Sequence, residues 1–191
     1  MQRLFLDMDN VITDYSYSAI EWFNEELSHP KYKGKYPTDL EPKDVKDYSI
    51  WKNYHLSKQI GKPLMEKMHN TPGFFAELDP IPGAINAVRK LNQIYEIFIA
   101  TKPQINELCV VKKMEWLNVH MPYIHEERVI FLQNKSVLYG DILVDDYWKH
   151  LFQFEGRGIL FMQPYNADRF DQFGYYVADW VELEELLSGI L

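Results

Sequence analysis

The residues able to do chemistry fall at the ends of short apolar runs. Asp7 and Asp9 close the run Leu4-Phe5-Leu6, Thr101 closes 97–100, Lys135 follows 129–132, and Asp145-Asp146 close 142–144. In a buried strand over residues 3 to 7, side chains alternate, so Asp7 and Asp9 project to one side and Met8 to the other. Adjacent like charges repel unless a cation neutralises them. A hard divalent metal suits such a pair, which leaves one carboxylate to attack and its neighbour to move protons. Together the four run ends describe a phosphoryl-transfer site. Asp7 would attack phosphorus and form an aspartyl-phosphate, while Asp9 would protonate the leaving alkoxide and then deprotonate the attacking water. Thr101 would supply a hydroxyl donor, and Lys135 a point charge, to the phosphoryl oxygens. Asp145 and Asp146 would complete a cage for Mg²⁺.

Such a site needs a scaffold that brings the run ends together. β-Branched or aromatic runs at 4–6, 97–100, 129–132, 142–144, 158–161 and 175–177 alternate with stretches of helical period. Over 81–92, opened by Pro82-Gly83, the residues Ile85, Val88 and Leu91 share a face. Over 104–119, Leu108, Val111, Met114 and Leu117 recur at spacings of three, and over 180–191 Val181, Leu183, Leu186, Leu187 and Ile190 ring an acidic helix. Apolar strands alternating with amphipathic helices predict an α/β fold, a Rossmann-like parallel sheet flanked by helices on both faces. In such sheets ligands bind beyond the carboxyl ends of the strands, where the candidate residues stand.

Residues 15–77 break this rhythm. A helix is expected over 15–27, with Ile20, Phe23 and Leu27 on one face, and a Pro-, Gly- and Lys-containing loop over 29–37. Irregular aromatic pieces follow around Tyr48, Trp51, Tyr54 and Phe74-Phe75. The expected organisation is a core of 1–14 and 78–191, with a mostly helical cap of 15–77 inserted after the first strand.

The bulk composition narrows the function classes. The chain has 191 residues, 47% of them hydrophobic, and a formal net charge of −8 without any Lys/Arg run, which argues against a nucleic-acid polymer as partner. No stretch approaches a membrane span, and no signal-peptide pattern opens the sequence, because Asp7 and Asp9 interrupt its early apolar run. A cytoplasmic protein is expected. The lone Cys109 excludes an intrachain disulfide and reads as an inert buried thiol. The six histidines lack ligand spacing and read as structural or exposed. Asn134-Lys135-Ser136 is a chance glycosylation match, and Gly156-Arg157-Gly158 lacks the third glycine of a dinucleotide fingerprint. Taken singly, each site residue has an ordinary reading: a strand threonine, a solvated lysine, an Asp-Asp turn, core aromatic rings. Their joint order at four strand ends is what outweighs those readings.

That order resembles the haloacid dehalogenase superfamily, with Asp-x-Asp first, then a strand ending in Thr, then Lys, then Gly140-Asp141-Ile142-Leu143-Val144-Asp145-Asp146. Within it, the chain resembles the 5'(3')-deoxyribonucleotidases. Asp7-Met8-Asp9-Asn10-Val11-Ile12-Thr13-Asp14 is similar to that family's start, and Phe74-Phe75-Ala76-Glu77-Leu78-Asp79-Pro80-Ile81-Pro82-Gly83-Ala84 to its entry into the first core helix. Lys135-Ser136-Val137-Leu138-Tyr139-Gly140 leads into the acidic segment as in the family, and Ala178-Asp179-Trp180 looks familial too. The resemblance spans nearly the whole chain and is weakest in 15–77.

The resemblance implies Asp7 as nucleophile, Asp9 as acid/base that also offers its backbone carbonyl to Mg²⁺, and Asp146 as the other direct metal ligand. Asp145 would then act from behind the ligands. The cap would hold a nucleoside against Tyr15, Trp51, Phe74 and Phe75. Three departures bear on substrate choice. Asn10 replaces a Gly, Lys102 follows Thr101 where relatives carry Ser, and Ile50 stands beside Trp51 at a usually aromatic position. Lys102 could add a phosphate contact. The expected substrate is a small-molecule nucleoside monophosphate, with a sugar phosphate or a non-catalytic phospho-acceptor module as alternatives. A homodimer is compatible with the sequence.

Overall fold

A computed structural model describes residues 1–104 and 107–189. Six parallel strands form one sheet in the order β3-β2-β1-β4-β5-β6: β1 (Gln2–Leu6), β2 (Tyr95–Thr101), β3 (Val129–Phe131), β4 (Ile142–Asp145), β5 (Arg157–Phe161) and β6 (Tyr176–Val177). The first strand is central, with Leu6 opposite Ile99 of β2 and Val144 of β4. Among the described residues, seven α-helices accompany the strands: α1 (Tyr15–Ser28), α2 (Ile50–Asn53), α3 (Lys58–His69), α4 (Ala84–Leu91), α5 (Glu107–His120), α6 (Trp148–Gln153) and α7 (Trp180–Gly189).

The apolar runs are continuous because the sheet is buried on both faces. Leu4 and Leu6 of β1, Ile142 and Val144 of β4, and Ile159 and Phe161 of β5 enter one core with α1, α4, α5 and α7. The alternate residues Phe5, Leu143 and Leu160 enter a second core, closed by Leu151 and Phe154 around α6. Period-two alternation thus feeds two apolar layers, and polar residues gather where the strands stop.

Some helix faces differ from the sequence expectation. Leu108 and Val111 of α5 are 44% and 51% exposed, and the buried stripe is Cys109, Lys113, Trp116 and Leu117. That stripe follows steps of three and four residues, whereas a strict spacing of three drifts around the helix. Ile85 is half-buried on α4, which buries Ala84, Ala87, Val88 and Leu91 instead. Val181 of α7 is 65% exposed, while Trp180, Leu183 and Leu187 pack inward; Ile190 lies outside the described residues. The helix over 15–27 has Ile20, Phe23 and Leu27 buried together, as expected.

Segment 15–77 contributes α1, α2, α3 and a 3₁₀ turn at Pro42–Asp44, and contains no strand among its described residues. Gly61, in the first turn of α3, has a physical reason: a Cβ there would stand 2.5 Å from the Trp51 ring. The close approach seats that ring against the helix backbone.

Candidate active site

The loop after β1 is wound tightly enough to fix both carboxylates. The Met8 carbonyl accepts from the Ile12 and Thr13 amides at 2.8 and 2.9 Å, and Trp180 Nε1 donates to the Val11 carbonyl at 2.7 Å. Asn10 takes φ +60°, the left-handed conformation that Asn tolerates better than most residues. Its side chain does what a glycine could not: Oδ1 accepts from the Ser16 amide at the start of α1, and Nδ2 donates to the Tyr165 hydroxyl at 2.9 Å.

Asp7 and Asp9 are each given a separate buried lysine. Lys135 Nζ, in a 3₁₀ turn at Lys135–Val137, lies 2.9 Å from Asp7 Oδ1 and donates to Asp145 Oδ2 at 2.6 Å. Its side chain is fully buried, not solvated as a loop lysine usually is. Burial alone would lower its pKa, but Asp145 and Asp7 outweigh that and raise it. Lys113 Nζ of α5 donates to Asp9 Oδ2 at 2.7 Å and to Thr101 Oγ1 at 2.8 Å. The hydroxyl of Thr101, at the end of β2, is therefore an acceptor toward Lys113 and keeps its own proton for another partner. Asp9 Oδ1 is buried and has no hydrogen-bond partner among the described residues.

Asp7, Asp145 and Asp146 bring carboxylate oxygens within 4.8 Å of one another, and all three residues are buried. Asp145 is well supplied: Oδ1 accepts from the Tyr147 amide at 2.8 Å, while Oδ2 meets Lys135 and, at 3.0 Å, His150 Nδ1. Burial would raise its pKa, but Lys135 and His150 hold it below the ordinary value. Asp146 is the contrary case. Burial, then Asp145 and Asp7, push it well above the ordinary value, and the Tyr165 hydroxyl donates to its Oδ2. Asp7 is raised as well, first by burial and only partly relieved by Lys135. Three buried carboxylates share one lysine, so the cluster carries an excess of negative charge that a hard, oxygen-seeking divalent cation would neutralise. The donor set fits Mg²⁺. The Asp9 carboxylate lies outside this cluster, on Lys113.

Beside the acidic floor opens a cleft of about 140 Å³ lined by Asp9, Asn10, Asp146, Lys102, Gln104, Ser49 and the rings of Tyr15, Tyr48, Trp51 and His69. It continues into a groove of about 490 Å³ sharing Trp51, His69, Lys102 and Gln104. Tyr15 and Trp51 therefore reach the cleft, as does Lys102. Phe74 and Phe75 do not: they pack behind it, with ring centroids 5.6 and 6.4 Å from Tyr15, and complete the core. The Tyr15 hydroxyl lies 2.7 Å from His69 Nε2, and burial pushes the His69 imidazole down to about 4, so it is neutral at physiological pH. A wider groove of about 540 Å³ around Lys31, Tyr32 and Lys35 lies elsewhere on segment 15–77 and contains no cluster of carboxylates.

Sequence reasoning missed Lys113, Tyr48 and Tyr165. The Lys113 signal was available, since it stands four residues after Cys109 and three before Trp116 on the buried stripe of α5. Tyr48 and Tyr165 lie in irregular segments without periodicity. Tyr48 stacks on Tyr147 at 4.3 Å and meets Tyr165 edge-on at 5.7 Å, over the Asp146 side of the site.

A parallel sheet whose central strand ends in paired aspartates, faced by a threonine, a buried lysine and an acidic pair, defines a haloacid dehalogenase-like hydrolase. Solved structures agree on the fold. A haloacid dehalogenase-like family hydrolase from Streptococcus pneumoniae superimposes with a TM-score of 0.66 over 97% of this chain and 98% of that one, at 12% identity. A haloacid dehalogenase-type hydrolase of Bacillus subtilis, described as bound to magnesium, gives 0.56 over 98% of each chain at 15% identity. The sequence goes further: residues 1–190 match the model of the 5' nucleotidase, deoxy (pyrimidine), cytosolic type C protein family, and the chain belongs to that family. Among curated relatives, the 5'(3')-deoxyribonucleotidase of Bacillus subtilis strain 168 is 27% identical, covering 95% of this chain and 96% of its own length. The human 5'(3')-deoxyribonucleotidase, cytosolic type, is 29% identical over 75% of this chain and 70% of its own. The chain is thus a phosphoric monoester hydrolase, which sets aside the non-catalytic module. No helix among the described residues is long and apolar enough to cross a membrane.

Proposed function

We infer that this chain hydrolyses nucleoside monophosphates, deoxyribonucleotides foremost, in two steps through an aspartyl-phosphate on Asp7. The observation that carries the reading is the junction of floor and wall: Asp9 and Asp146 line the same cleft as Tyr15, Tyr48 and Trp51. A phosphate held at the carboxylate floor leaves an attached nucleoside in the ring-lined part, where faces of any base can stack.

The steps follow from the residues. Asp7 attacks phosphorus, and the bond to the leaving oxygen breaks as Asp9, protonated on its free oxygen, delivers a proton to it. Water then adds to phosphorus, gives its proton to the Asp9 carboxylate, and the bond to Asp7 breaks. Lys135 neutralises Asp7 and faces the charge that develops on the phosphoryl group, and Thr101 donates its remaining proton there. Asp7, Asp146 and the backbone carbonyl of Asp9 would hold Mg²⁺, with Asp145 fixing Lys135 behind them. The ion, when bound, supplies charge neutralisation at the phosphoryl oxygens. Residues 15–77 act as the cap over this floor.

Ser49, Lys102 and Gln104 give the cleft polar contacts too, which a sugar phosphate would use. The test is phosphate release from a panel of deoxy- and ribonucleoside monophosphates and sugar phosphates, with Mg²⁺ and with EDTA. Metal-dependent release confined to nucleotides is expected; release only from sugar phosphates would overturn the nucleoside assignment.

A further inference from the structure

The established parts of the site leave one fully buried charge without a role. Lys113 has no accessible surface, and its ammonium has three protons to donate. Asp9 Oδ2 at 2.7 Å, Thr101 Oγ1 at 2.8 Å and the Lys102 carbonyl at 3.4 Å take all three. The Phe75 ring lies 5.3 Å from Nζ and covers it further. A lysine so saturated has no donor left for a phosphate oxygen, unlike Lys135, which sits between two carboxylates of the floor.

We propose that Lys113 is a positioning residue that makes Asp9 a directional proton donor. It occupies Oδ2, so Oδ1, which has no partner among the described residues, is the one that carries the proton to the leaving group. By the same contact set it holds Thr101 Oγ1 as an acceptor, which turns the threonine proton toward the phosphoryl group. The α5 scaffold is suited to this. Cys109, Trp116 and Leu117 bury the same stripe, and Trp116 Nε1 donates to the Leu78 carbonyl at 2.7 Å, so the helix cannot slide without breaking a buried contact. A lysine placed there costs desolvation, and the short bonds to the two groups it orients are the main offset to that cost.

The assignment rests on the phosphatase reading and predicts a dependence on the leaving group. The parameter to measure is kcat/KM, which covers every step through departure of the leaving group and is blind to later breakdown of the aspartyl-phosphate. A nucleoside 5'-alkoxide needs a proton as it leaves; 4-nitrophenolate does not. Lys113→Met, nearly isosteric and uncharged, is expected to lose on the order of 100-fold more kcat/KM on a deoxynucleoside monophosphate than on 4-nitrophenyl phosphate, since a positioned general acid contributes roughly 10²–10⁴-fold. Circular dichroism and thermal melting check the fold, and Lys113→Gln, which keeps one neutral donor, is read for the same ratio should the Met variant not fold. Trp116→Phe, which loosens α5 alone, should lower both substrates alike. Equal loss on both esters in the Lys113 variants, or no loss, overturns the positioning role while leaving the phosphatase reading intact. A wild-type chain inert toward both esters overturns that reading and this assignment with it.

Discussion

The acidic floor and the aromatic wall of the cleft are built on opposite principles. In the floor, the groups at the strand ends are held by short, directional bonds to buried lysines: Lys135 between Asp7 and Asp145, Lys113 between Asp9 and Thr101. In the wall, Trp51 is seated on Gly61 and Tyr48 is stacked on Tyr147, contacts that fix a ring plane but tolerate sideways movement. On the proposed function, the floor must meet one transition-state geometry, whereas the wall needs only a flat surface for a base. On the same proposal, this difference assigns chemistry to the floor and substrate choice to the wall.

The sharpest way to break this division is Asp7→Asn, which removes the proposed nucleophile and should cut kcat on the order of 10⁴-fold or more, as loss of a covalent nucleophile does elsewhere. Nucleotide binding by titration should persist, and retained turnover would place the nucleophile elsewhere. Next is the pH behaviour of the wall. His69 is neutral in the folded chain, with its pKa pushed down from 6.5 to about 4 by burial. The unfolded chain therefore takes up the proton first, so this contribution is complete above pH 6.5 and is lost as the pH falls toward 4. The loss is at most ~3 kcal/mol. His69→Gln should flatten the fall in melting temperature across that window; an unchanged slope would remove His69 as its source. Trp51→Ala should raise KM for nucleotides by about tenfold with kcat little altered, because a stacked base contributes roughly 1–3 kcal/mol. A fall in kcat instead would tie the wall to the chemistry. The smallest effect reverses the usual sign: in EDTA, Asp146→Asn should melt roughly 2–4 °C higher than wild type, the shift ~1 kcal/mol gives in a chain of this size. It relieves a buried, repelled carboxylate. Mg²⁺ should then raise the melting temperature of wild type and not that of the variant.

The two regions also differed in how far the sequence exposed them. The strands are legible because burial leaves short apolar runs, continuous in β1, β4 and β5 and thinner at the edges β3 and β6, and the polar residues ending β1, β2 and β4 and following β3 mark the site. Asp7, Asp9, Thr101, Lys135, Asp145 and Asp146 meet for that reason. Lys113 escaped because a lysine on a helix is ordinarily read as facing solvent, and a spacing of three selects the exposed Leu108 and Val111. The wall was legible only as aromatic content. Tyr15 and Trp51 line the cleft, but Phe74 and Phe75 lie a layer behind, since nothing in an irregular segment tells a ring that faces a ligand from one that faces another ring. Tyr48 and Tyr165 meet only in three dimensions.

The central position of β1 also has a temporal side. Its partner β4, paired through Leu6 and Val144, arrives about 140 residues later, on the order of ten seconds at ribosomal speed. Until then Asp7 stands without the pair of Lys135 and Asp145 that flanks it in the finished fold. The nascent chain thus carries an incomplete site, and the crowding of carboxylates is deferred to the moment when the lysine that offsets it is also at hand.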